Sequence, residues 1–206
     1  MRLSSYSYKF LRLLTTLLGC SFLTGCLVSK EPFYLNDQIE LDHKIEGFYP
    51  NKQDESTLLI RPSMDYDEHY DIVVQDGKQV TISLVGTLFA FNNVHYLDLF
   101  YNSDTGIRHD AASPPTVSAV IRYLMFEPYH LLLRVELADD SLTFWCPSRK
   151  SITEAIKSDS NIKMKRGGDT ILFDEPTDVV QRKLIALFSN GNFFDHASNM
   201  VKQNDN

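Results

Sequence analysis

From position 80 to position 90 the even positions read Val80, Ile82, Leu84, Gly86, Leu88 and Ala90, while Thr81, Ser83 and Thr87 fall between them. A period of two predicts a strand with one buried and one wetter face. Asn92-Asn93 follows, two residues that tolerate the positive φ of a tight type I′ turn. With the turn placed there, Leu88 opposes Leu97, Gly86 opposes Leu99 and Leu84 opposes Tyr101, all on the apolar face. The register is specified, because a slip of one residue would carry Asp98 into that face.

A second hairpin shows the same logic. Leu131, Leu133, Val135 and Leu137 face one way and Leu132, Arg134 and Glu136 the other, and a turn at Asp139-Asp140 pairs Leu137 with Leu142 and Val135 with Phe144. Further strands are expected at Gly47-Phe48-Tyr49, Thr57 to Ile60, Tyr70 to Val74 and Val117 to Phe126, with a turn at Asp76-Gly77 and a loop from Asn102 to Pro115. Asn36 to Leu41 reads as a short extended or helical piece, and Asp42 caps one helical turn that Gly47 stops. Ile162 to Lys165 and Thr170 to Phe173, around Gly167-Gly168, suggest a small late hairpin. Helical spacing marks Ser151 to Lys157, then a longer helix after Pro176 with Val179, Val180, Leu184, Leu187 and Phe188 as its stripe, ended by Asn190-Gly191. Phe193 to Val201 reads as one more short helix. The fold class that follows is mainly β (α+β): an antiparallel meander forming a β-barrel-like or strongly curled sheet with a C-terminal helix.

The amino terminus has a different grammar. Arg2, Lys9 and Arg12 precede an uncharged, Leu-rich run from Leu13 to Ser29, the arrangement of a secretory signal. The run is diluted by Thr15, Thr16, Gly19 and Thr24 and falls short of the roughly 20 apolar residues that span a bilayer. At its end Leu23-Thr24-Gly25-Cys26 resembles the lipobox of bacterial lipoproteins. Leu17-Leu18-Gly19-Cys20 is a second match, but Arg12 lies so close that little apolar region would remain. The resemblance implies cleavage before Cys26 and acylation of its thiol, an anchor strong enough to hold the protein at a membrane. Leu27 stands where inner-membrane lipoproteins often carry Asp, so the resemblance implies the outer membrane, facing the periplasm. The domain plan is therefore an export segment at 1–25, a tether at 26–31, one domain at 32–201 and a frayed tail at 202–206.

Cys26 with Glu31-Pro32-Phe33-Tyr34, Asp42 to Tyr49, Gly86 to Tyr101, Leu131 to Leu142 and the helix after Asp174-Glu175-Pro176 form a set of landmarks along the chain. Through them the chain is similar, over most of its mature length, to a family of uncharacterised bacterial lipoproteins. The layout is also similar to lipocalin-like barrels, with Tyr49 where those usually carry Trp. Neither resemblance implies an activity.

Charge and chemistry narrow the picture. Loss of residues 1–25 removes three cations and no acid, taking the formal charge from -7 to -10. So acidic a domain repels phosphate backbones, and nucleic acid is not an expected partner. With Cys26 lipidated, Cys146 stands alone in an apolar strand and reads as a buried, inert thiol. Asp65-Tyr66-Asp67-Glu68-His69 could hold a cation, yet it lacks the EF-hand glycine and the HxxxH spacing and reads as a solvated turn. His95 with Asp98, or His109 with Asp110, could form an acid–base pair with Ser83 or Ser103 as nucleophile, but no Gly-x-Ser-x-Gly elbow supports it. His130 reads as a strand-end residue, and Gly167-Gly168 after Lys163, Lys165 and Arg166 as a basic turn, not a phosphate loop. No metal or cofactor is expected. Ten Tyr and thirteen Phe either fill a barrel or line a cavity in it. If a cavity exists, its lining candidates are Leu84, Gly86, Leu88, Leu97, Leu99 and Tyr101. The expectation is a non-enzymatic binding module for a small apolar ligand or an envelope protein, the alternatives being a structural or assembly factor and a hydrolase.

Overall fold

The computed structural model describes residues 26–50, 56–76, 79–101, 129–158, 170–188 and 193–203. Several expected features lie outside them: the export segment with Cys20, the turns at Gly77 and at Asn190-Gly191, the stretch from Asn102 to Phe126 with Ser103, His109 and Asp110, and Ile162 to Gly168.

The meander is present. Strands β2 (Gly47–Pro50), β3 (Ser56–Pro62), β4 (Tyr70–Asp76), β5 (Gln79–Phe91), β6 (Val94–Phe100), β7 (His130–Leu137) and β8 (Ser141–Pro147) pair antiparallel in sequence order. The last strand, β10 (Phe194–Val201), continues the sheet beyond β8. These eight strands curl into a half-barrel. Its two ends approach where Gln203 N–H donates to Phe48 O at 2.8 Å and the Lys202 side chain crosses Gly47, 2.3 Å from where a Cβ would stand. A Cβ there would have to push the Lys202 side chain aside.

Both expected hairpins form in the expected register. Asn92 and Asn93 take φ of 52° and 60°, and Leu88 pairs with Leu97 and Gly86 with Leu99. Leu137 pairs with Leu142 and Val135 with Phe144. The expected cap is also there: Asp42 accepts from Lys44 N–H at 2.9 Å before a single 3-10 turn, His43–Ile45.

Several expectations are corrected. Residues 26–31 are not a tether, because Cys26–Ser29 forms β1, a buried strand antiparallel to β7 and parallel to β9 (Thr170–Phe173). All four of its residues are buried, as suits a strand covered on both sides. Phe193 to Val201 is β10 and not a helix; its apolar spacing fits either, and pairing with β8 decides. The tail is held as far as Gln203, since Lys202 N–H also donates to Asp140 O.

The face of β5 and β6 expected to be wetter is buried as well. On the concave side Val28, Tyr49, Ile60, Ile72, Leu88, Leu97 and Leu133 belong to one core. On the convex side Leu27, Phe89, Tyr96, Leu132 and Ile171 pack with helices α1 (Arg149–Ser158) and α2 (Thr177–Phe188) in a second core. Tyr96 is stacked between Phe89 and Phe188, each ring centre 5.6 Å away. Thr87 and Asp98, on this convex face, are therefore buried at 3% and 1% exposure.

Candidate functional site

A buried acid in the middle of Tyr96-Leu97-Asp98-Leu99 needs partners, since an unpaired charge in a core is expensive. Asp98 finds two. Phe33 N–H donates to its Oδ2 at 3.0 Å, and His130 Nδ1 lies 3.0 Å from both carboxylate oxygens. A carboxylate only accepts, so the His130 proton facing it is assigned to Nδ1. The β6–β7 register sets Phe100 opposite His130, and the two rings stack at 4.9 Å.

The segment that supplies Phe33 crosses the convex face and is tied down from both sides. Beneath it, Thr87 pairs with Asp98 across β5 and β6 and stands beside the Tyr34 phenol. Burial pushes that phenol above its usual 10, and the Asp98 charge adds to the rise while Thr87 opposes it. Above it, Gln181 of α2 donates to Phe33 O at 2.9 Å and to Gln38 Oε1 at 2.6 Å, and Thr177 donates to Pro32 O at 2.7 Å. His69 reaches the rim. Its Nδ1 donates to Asp67 O, leaving Nε2 to accept from Tyr34 O–H at 3.5 Å.

This arrangement has two of the three parts of a nucleophilic triad, a carboxylate orienting an imidazole through Nδ1. Ser29 stands opposite His130 in the β1–β7 ladder, yet it is fully buried and its hydroxyl accepts from Glu31 N–H at 3.3 Å. No hydrogen bond joins Ser29 to His130 among the described residues. What the cluster does with the atoms shown is hold residues 32–38 against the sheet.

The residues singled out from sequence fall elsewhere. His95 is three positions from Asp98 and so on the opposite face of β6; it pairs instead with Glu40 Oε2 at 3.0 Å. Ser83 lies four positions before Thr87 on β5, about 13 Å along the strand. Asp65 to Glu68 form an exposed turn, and among the described residues no three His, Cys, Asp or Glu gather as metal ligands. Cys146 is buried, and so is Cys26 at the start of β1. Leu84, Gly86, Leu88, Leu97, Leu99 and Tyr101 do come together on the concave face, where Ile72 Cδ1 stands 2.4 Å from the place a Gly86 Cβ would take.

The pairing of Asp98 with His130 was not legible beforehand. Its one signal was an acid inside an apolar run, and reading that face as wet hid it.

Compared with protein-family models, curated proteins and solved structures, the chain matches nothing. Among the described residues no helix is long and apolar enough to cross a membrane.

Proposed function

We propose that this is a lipid-anchored envelope protein, held at the outer membrane through acylated Cys26, whose lipocalin-like half-barrel is a non-enzymatic binding module for an envelope protein or a small apolar ligand. The observation that carries the reading is the lipobox match Leu23-Thr24-Gly25-Cys26 followed by a strongly curled antiparallel sheet. The two candidate binding surfaces differ. The concave face is apolar and closely packed around Gly86, whereas Phe48 and Val201 are exposed near the seam where β2 meets the end of β10. We place a protein partner at this seam rather than in the packed concave face.

Metabolic labelling with an acyl-chain probe tests the anchor. Labelling should vanish with Cys26→Ser and persist with Cys20→Ser; the reverse result overturns the site. Photo-crosslinking groups at positions 48 and 201 test the partner, and uptake of a fluorescent fatty acid with no crosslink at either position would transfer the reading to the apolar ligand. The hydrolase alternative keeps His130 as its base and Asp98 as the orienting acid, and loses support from the complete burial of Ser29.

A further inference from the structure

Strand β7 lends one edge to two strands. Arg134 pairs with Trp145 of β8, and Leu132 pairs with Leu27 of β1. The place opposite Leu133 is thus approached from one side by the residue after Trp145 and from the other by the residue before Leu27. Those residues are Cys146 and Cys26. Trp145 and Leu27 stand two residue steps apart, about 6.8 Å along the strand, and both cysteines share that interval. Neither is paired with β7 itself: Cys146 pairs with His196 of β10 and Cys26 with Thr170 of β9. Alternation turns both side chains opposite to Trp145 and Leu27, toward the concave core, where both are buried. Strands β1 and β8 come within 8 Å between Cα atoms, and a disulfide needs about 4.4–6.8 Å.

We propose that Cys26 and Cys146 join in a disulfide whenever the domain folds before Cys26 is alkylated. A disulfide donor of the glutathione type supplies the oxidation. One protein thiolate attacks the donor's S–S bond and releases one donor thiolate. The second attacks the mixed disulfide and releases the other, so two S–H bonds become one S–S bond, two protons leave, and the donor is reduced to two thiols. Beyond the anchor reading, this orders the events at one sulfur. Acylation has to precede the seating of β1, and a chain that folds first is withheld from the acyl transferase.

The test uses the full-length Cys20→Ser chain, made without acylation, held in detergent and treated with oxidised glutathione. Expected are a loss of two hydrogens in mass, no remaining titratable thiol, and a peptide linking positions 26 and 146 that is absent from both Cys146→Ser and Cys146→Ala. Thiols that persist under conditions that oxidise the urea-unfolded chain, or glutathione adducts without the linked peptide, overturn the proposal. Acyl labelling in the native host reports on the anchor reading separately, whichever way the thiols behave.

Discussion

Replacing Asp98 by Ala removes the one acceptor that the Phe33 amide and the His130 Nδ1–H share. Both donors stay behind in a site with almost no solvent access, Asp98 being 1% exposed. A buried donor left unsatisfied costs about 1–3 kcal/mol, and two donors lose their acceptor here. The expected loss is therefore about 4 kcal/mol. With a urea slope of about 2 kcal/mol/M, the unfolding midpoint should fall by about 2 M. The loss should also be local: exchange of the Phe33 amide should speed up before that of Leu97 or Leu133, because the clamp opens before the sheet does. Asp98→Asn keeps one acceptor oxygen and turns an NH2 toward a donor, so it should fall between wild type and Ala. A double-mutant cycle with His130→Ala should give a coupling of about 1–3 kcal/mol. Asp98→Ala within about 0.5 kcal/mol of wild type, the range of ordinary surface changes, would refute the clamp.

Gly86→Ala places a methyl group 2.4 Å from Ile72 Cδ1 and should destabilise by about 1–3 kcal/mol; Ile72→Val, which removes that carbon, should recover part of the loss in a thermal melt. Gln181→Ala strips the Phe33 carbonyl of its donor and should cost about 1–2 kcal/mol, read as a drop of about 3–6 °C in Tm; an unchanged Tm would show that α2 is held by its apolar stripe alone. Burial pushes Tyr49 and Tyr96 up to about 12, with the Arg134 cation partly opposing the rise at Tyr96. The unfolded chain releases those protons near 10, so the stability they contribute is complete below pH 10 and fades as pH climbs toward 12. Tyrosinate absorbance and the loss of β-sheet signal should rise together in that window, and full ionisation with the sheet intact would contradict the burial.

Several parts of this protein were decided by neighbours in the chain. Asn92-Asn93 and Asp139-Asp140 dictate tight turns, and the alternation on either side dictates which residues then face each other, so both hairpins could be read with their registers. The stripe of α2 is equally local, although Gln181, one position from Val180, also turned inward to reach Phe33. Other parts depended on what lay across space. Phe193, Phe194, Ala197 and Met200 suit a helix as well as a strand, and only the free edge of β8 made them β10. Cys26 to Ser29 became β1 because β7 and β9 left a slot for it. A period of two shows that a strand has two unlike faces, but whether the polar one meets water depends on what covers it. Here residues 32–38 and α2 cover it, 65 and more positions away in sequence from Asp98 at the nearest bond, and that distant cover turned an apparently solvated acid into the buried centre of the clamp.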